Sequence, residues 1–195
     1  PQLSENRYAR NISTAPSSPS GPLVEFQAEA FNEGTGPTNP RLEHAWLCLT
    51  NQPGHTGYCA MRPEPDNGAN VYIFDYASSP FLVYHVPFPA SVPHYVWIYA
   101  WACGGPDDTV FAGMDGALTP GAEPVMTGWG GCTWQWKSQL RDGSRPVISP
   151  TWTATNGSYH RIYQWMKEDG IRVDRITLTQ DRCWKPAGAA TPPGC

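Results

Sequence analysis

No stretch of this chain sustains a helical period of apolar residues over three turns. Instead, short alternating segments follow one another, separated by clusters of Gly, Pro, Asn and Asp. The alternating segments are "LVEFQAEAF", "NVYIFDY", "FLVYHVPF", "HYVWIYAWA", "DTVFAGMDG", "TWQWKS", "YHRIYQWMK" and "IRVDRITLT"; "PEPDNGAN", "CGGPDD" and "RDGSRP" punctuate them. About eight strands at this spacing predict an all-β fold, a β-sandwich of the jelly-roll kind. At 195 residues the chain reads as one folded unit with tails. The expected division is an N-terminal arm over 1–22, the sandwich over 23–180 and a C-terminal tail over 181–195.

The arm, "PQLSENRYARNISTAPSSPSGP", is rich in Ser and Pro, and Leu3, Tyr8 and Ile12 are its few apolar anchors. It cannot form a core of its own, so if ordered it lies against a folded surface, its own or a neighbouring copy's.

The six cysteines include no C-x-x-C pair, which argues against zinc and thioredoxin-like chemistry. With 21 prolines and 19 glycines they fit an oxidised, extracellular chain. The local pairings are expected: Cys48–Cys59, Cys103–Cys132 and Cys183–Cys195, the last pinning the tail. The sequons at Asn11 and Asn156 agree with export. A chain opening on Pro1 without an apolar leader reads as one whose signal peptide has been removed. The net charge of -4 makes no electrostatic case for a nucleic acid or an anionic membrane as partner. No apolar run is long enough to insert into a bilayer. The expected location is secreted.

The closing segment raises a question about charge. Strict alternation in "IRVDRITLT" points Asp174 the same way as Ile176 and Leu178, toward the core. A carboxylate there is costly unless something neutralises it. In "EFQAEAF" Gln27 and Glu29 are two apart and so share a strand face. These hard oxygens together suit Ca²⁺. Equally, Asp174 could pair with Arg161, Arg172 or Arg175, leaving Gln27 and Glu29 as surface residues.

Four stretches, taken in order, resemble carbohydrate-binding modules of families six and thirty-five. "FQAEAF" is similar to their first strand, "DDTVFAGMDG" to a strand and turn, "TWQWKS" to their W-x-W strand, and "NGSYHRIYQWMKEDGIRVDRITLT" to their closing pair of strands. The resemblance covers about residues 24 to 179 and implies a galactose-binding-like jelly roll. It also implies that Gln27, Glu29 and Asp174 ligate a structural calcium. The arm, the cysteines, "GWGGC" and the long span 40–70 depart from that pattern, as does Lys167 in place of Arg. These departures fall where such modules build their ligand sites.

Aromatic residues are abundant, with nine Trp and nine Tyr. Flat rings stack on the C–H faces of sugars, and loop residues are freest of core duty. Trp46, Tyr58, Trp129 and Trp152 are therefore the candidate sugar contacts. The resemblance singles out Trp129 with Trp46 or Tyr58, although packing in a disulfide loop accounts for Trp129 equally well. The strand pairs Trp134 and Trp136, Trp97 and Trp101, and Tyr95 and Tyr99 are expected in core or inter-strand packing.

Catalytic motifs do not occur: there is no G-x-S-x-G, H-E-x-x-H or phosphate loop. The acidic group Asp107, Asp108 and Asp115 reads as turn chemistry. The sequence thus describes a secreted, non-catalytic module that binds a polysaccharide or glycan. The alternative is a subunit of an extracellular glycoprotein filament in which the arm docks onto the next copy, a heterologous contact that does not close.

Overall fold

The chain forms two antiparallel sheets. The computed structural model describes residues 13–14, 23–35, 43–88, 92–150, 159–192 and 194–195. Strands β1 (Ser13–Thr14), β2 (Leu23–Gln27), β4 (Ala45–Leu49), β5 (Ala60–Glu64), β7 (His94–Ala102), β10 (Thr133–Lys137), β11 (Val147–Ile148) and β13 (Arg172–Thr179) make the larger sheet. Strands β3 (Glu33–Thr35), β6 (Phe81–Val86), β8 (Val110–Met114), β9 (Ala117–Leu118) and β12 (His160–Met166) make the smaller, in the order β3-β6-β12-β8-β9. In the larger sheet β13 is central, with β7 along one edge. Its other edge is shared by β2 over Arg175 to Thr179 and by β5 at Val173. This fork organises one of the two candidate sites.

The core lies between the sheets. Phe26, Ile98, Ala100, Val173, Ile176 and Leu178 of the larger sheet meet Leu82, Tyr84, Phe111, Ile162 and Trp165 of the smaller. The Tyr84 hydroxyl donates to the Ala28 carbonyl at 2.9 Å, so its polar end is satisfied inside an otherwise apolar layer. All three expected disulfides form: Cys48–Cys59, Cys103–Cys132 and Cys183–Cys195.

The elements differ from the sequence reading in three places. "NVYIFDY" is not a strand; Ile73–Ser78 is a 3₁₀ helix, on which Phe74 is exposed. The span 40–70 holds the paired strands β4 and β5, concealed in the sequence by Pro63 and by two cysteines among polar neighbours. Finally, β2 stops at Gln27, and Ala28–Ala30 coils into a 3₁₀ turn carrying Glu29. Gln27 and Glu29 therefore do not share a strand face.

Candidate functional site

Asp174 is fully buried, as its position between apolar residues requires, but simple alternation is not the cause. The register between β13 and β7 slips there: Val173 lies opposite Ala100 and Arg175 opposite Tyr99, so Asp174 is the extra residue of a β-bulge. A bulge re-aims its side chain. Here the carboxylate turns into the fork, toward the end of β2, the turn carrying Glu29, and the loop closed by Cys48–Cys59.

That loop supplies the partners. The Thr56 amide donates to Asp174 Oδ1 at 2.8 Å, and its hydroxyl lies 2.7 Å from Asp174 Oδ2 and 3.2 Å from Gln27 Oε1. The Tyr58 amide donates to Glu29 Oε1 at 2.7 Å. Between them Gly57 has φ +68°, and a Cβ on it would lie 2.3 Å from Glu29 Oε1 and 3.0 Å from Gln27 Oε1. The side-chain oxygens of Gln27 and Glu29 thus crowd one point that only glycine can face.

Electrostatically the cluster is unfinished. Glu29 Oε2 is buried and has no hydrogen-bond partner among the described residues. Burial holds the Glu29 carboxyl above its ordinary 4.5, the Tyr58 amide opposes this, and the Asp174 charge adds to it. Asp174 is likewise raised above 3.8 by burial, against the two hydrogen bonds from Thr56. Arg175 Nε approaches Asp174 Oδ2 at only 3.4 Å, a single contact rather than a bidentate pair. Its guanidinium lies instead over Tyr99 and Trp136. Two carboxylates, an amide oxygen and a hydroxyl around an unpartnered oxygen fit a hard divalent cation.

The second site is aromatic. Counting outward along β7, Tyr95, Trp97, Tyr99 and Trp101 alternate with the core residues Val96, Ile98, Ala100 and Ala102, and so face away from the smaller sheet. Trp134 and Trp136 of β10 lie opposite Trp101 and Tyr99. The Tyr99 and Trp134 rings stack at 5.4 Å, and Tyr99 meets Trp136 at 5.0 Å. Arg175 covers the Tyr99 and Trp136 rings at 4.9 and 5.1 Å; Arg172 covers Trp101 at 3.8 Å. Arg175 is steadied by Glu25 at 3.4 Å, which accepts a 3.0 Å bond from Thr177.

The C-terminal tail forms the opposite wall. Ala189 and Trp184 pack on Trp97 and Trp136, and a cleft of about 340 Å³ opens between Tyr99, Trp134, Trp136 and the stretch Ala187 to Ala190. Gln135 and Lys137 line it as well. The loop that caps the oxygen cluster also sets this shelf. The Trp134 indole donates to the Pro53 carbonyl at 2.8 Å, and Gly54, at φ +86°, leaves room for its ring.

The two described loop tryptophans, Trp129 and Trp46, are buried. Trp129 is 2 % exposed, and its indole donates to the Gln135 carbonyl at 3.0 Å. Trp46 is 8 % exposed and bonds to the Pro80 carbonyl at 3.2 Å. Both belong to the core, so neither presents a face to a ligand. Tyr58 is 62 % exposed, above the oxygen cluster. Trp152, Asn11, Asn156, Leu3, Tyr8 and Ile12 lie outside the described residues. Of the acidic group, Asp115 turns away to His160 at 2.7 Å. Sequence reasoning missed Thr56, Gly57 and the shelf itself. Only the glycine-flanked "GHTGY" inside a disulfide loop hinted at a tight approach.

No protein-family model matches the sequence, and no curated protein matches it. Solved structures do. Over 82 % of this chain and 98 % of the other, a family 35 carbohydrate-binding module from Clostridium thermocellum superposes with TM-score 0.51 at 15 % identity. A CBM35 from Paenibacillus barcinonensis gives 0.53 at 14 % identity, covering 80 % of this chain and 98 % of that one. A Podospora anserina GH26-CBM35 β-(1,4)-mannanase gives 0.53 at 15 % identity over 84 % of this chain, which spans only 29 % of that enzyme's length. The fold is that of these modules, the galactose-binding-like jelly roll expected from the strand pattern and the resemblance.

Proposed function

We propose that this β-sandwich is a secreted, non-catalytic module that binds a polysaccharide or glycan on the outer face of its larger sheet. The observation that carries the reading is the half-buried stack of Tyr99 and Trp134, left over after the core is filled and walled by the tail into a cleft. Sugar rings offer axial C–H groups to such faces. The three disulfides support an extracellular setting. In the same reading Gln27, Glu29, Asp174 and Thr56 hold a structural calcium, which fastens the loop that positions Trp134. Of the described loop aromatics Trp46, Tyr58 and Trp129, Tyr58 keeps an open face.

A polysaccharide panel followed by calorimetry tests the proposal. Trp134→Ala is expected to weaken the retained glycan about tenfold or more, equivalent to about 1.4 kcal/mol, with the fold intact by circular dichroism. Unchanged affinity in that variant, or a panel with no retained member, removes the reading. The filament alternative remains a second proposal. The described part of the arm, β1, pairs with β2 of the same chain, which favours the glycan reading. Deleting residues 1–22 and following assembly by sedimentation decides it.

A further inference from the structure

The outer face of β7 ends, on the side of Tyr95, in a cleft opposite in charge to the oxygen cluster. It has a volume of about 380 Å³ and is lined by Tyr95, Ser144, Arg145, Val147, Arg182 and Gly194. Tyr95 and Tyr99 lie on one face of β7, about 13 Å apart along the strand, so the cleft is separate from the Tyr99–Trp134 shelf. In a chain of net charge -4, two guanidiniums meet here.

Local structure brings each arginine to the cleft. Arg145 stands just before β11, which pairs with the start of β7 through Val147 and Tyr95. Its guanidinium folds back over the outer rings, 4.4 Å from the Tyr95 centroid and 5.3 Å from that of Trp97. Arg182 and Gly194 each precede a cysteine of the Cys183–Cys195 disulfide, which draws them together. Gly194 has φ +76°, and a Cβ on it would collide with Arg182 Nη2. Glycine there gives the second guanidinium its place.

The positive charges are not balanced. Arg145 is buried; its Nε and Nη2 donate to Ser138 Oγ at 3.2 and 2.8 Å, and its Nη1 donates to the Arg182 carbonyl. These acceptors are neutral, and they leave part of the guanidinium's set of donors unused. Among the described residues no carboxylate lies within ion-pair distance of Arg145 or of the exposed Arg182. Burial lowers the Arg145 guanidinium to about 10; Tyr95 opposes this, and the Arg182 charge adds to it. A buried cation beside a second cation is costly without an anion to offset it.

We infer that Arg145 and Arg182 form a binding site for a tetrahedral oxyanion, a sulfate or phosphate ester carried by an extracellular glycan. A planar carboxylate is matched by the fork of a single guanidinium. The Nε–Nη2 fork of Arg145 is closed on Ser138, so an anion here takes single donors from Arg145 and Arg182 together. An ester with three outward oxygens can do so. The carrier rests on the glycan reading, because a chain lying on the shelf and following β7 brings a substituent to this cleft. The anion site itself does not rest on it.

Titration of the full chain with glucose 6-sulfate, glucose 6-phosphate, glucuronate and glucose, followed by NMR, tests the inference. At least one ester is expected to bind about tenfold or more tighter than glucuronate and glucose, and the order of the two esters identifies the source. Arg182→Gln, at an exposed position, should lower that ester affinity about tenfold or more. Gly194→Ala should lower it as well, by displacing Arg182 without changing any charge. Trp134→Ala should leave it unaltered, so the site stands even if the shelf binds no glycan. Equal binding of all four sugars, a preference for glucuronate, or an ester affinity lost in Trp134→Ala but unaltered in both Arg182→Gln and Gly194→Ala overturns the inference.

Discussion

The two faces of β7 carry opposite kinds of residue. Inward, Val96, Ile98, Ala100 and Ala102 are small or aliphatic and pack between the sheets. Outward, Tyr95, Trp97, Tyr99 and Trp101 are all aromatic. In a sandwich with one face in water the outer residues are ordinarily polar. The bulk of the aromatic surface here is thus unrelated to closing the core. Part of it is covered by the tail, and the rest is stacked, flanked by arginines and accessible. The difference teaches that the inner face closes the core, while the outer face leaves aromatic rings that the core does not use.

The sharpest way to break that comparison is one truncation on each face. Ile98→Ala should cost about 2–5 kcal/mol, because a fully buried side chain leaves a cavity. Tyr99→Ala should cost about 1 kcal/mol or less yet lose the glycan. Urea melts of both check this, and equal losses of stability would show that the outer aromatics are a second core.

Calcium offers the next test, through the loop shared by the oxygen cluster and the shelf. Without cation, Glu29 and Asp174 have folded-state pKa values raised above 4.5 and 3.8. Such groups favour the folded state fully below those ordinary values, and their contribution is lost as pH rises through the raised values. A bound cation favours the ionised carboxylates and reverses this slope. The increment in melting temperature on adding calcium should therefore grow from about pH 4 toward pH 7. Glu29→Gln should flatten it. Scanning calorimetry with calcium and with chelator at several pH values gives the answer; a pH-independent increment would detach these carboxylates from the metal.

A smaller effect is expected at Gly54. A Cβ there would fall 2.8 Å from the Trp134 ring at a backbone angle unfavourable for other residues. Gly54→Ala should cost about 1 kcal/mol and tilt Trp134, so glycan affinity should fall more than stability does. Trp134 emission and calorimetry together measure both. Smallest is Trp184→Ala, which uncovers part of Trp97 and widens the cleft. Stability should change by less than about 1 kcal/mol, with glycan affinity altered less than in Trp134→Ala.

Much of the fold was legible in the sequence because its signals are local. Alternation in "HYVWIYAWA" and "YHRIYQWMK" is visible residue by residue and survives as β7 and β12. The disulfides were legible because close cysteines are joined by short loops. The candidate site was legible in fragments. Asp174 stood out as a charge among apolar residues, but the bulge that aims it did not, since a bulge depends on the partner strand. Thr56 was invisible because it lies far from Gln27 and Asp174 in the sequence. The burial of Trp129 was not legible for the same reason: a loop tryptophan can be folded inward, and only the residues it meets decide that.

The sequence by itself determined the two-residue period, the all-β class and the need for a partner at Asp174. These follow from backbone geometry and from the cost of burying a charge, which any tertiary arrangement must respect. Only the tertiary structure decided which face of each strand meets solvent, which aromatics remain available, and which carboxylates from distant loops share a point. Those outcomes depend on what packs against what. Alternation assigns residues to two faces without saying which is covered, and no local pattern brings Thr56 to Gln27 and Asp174.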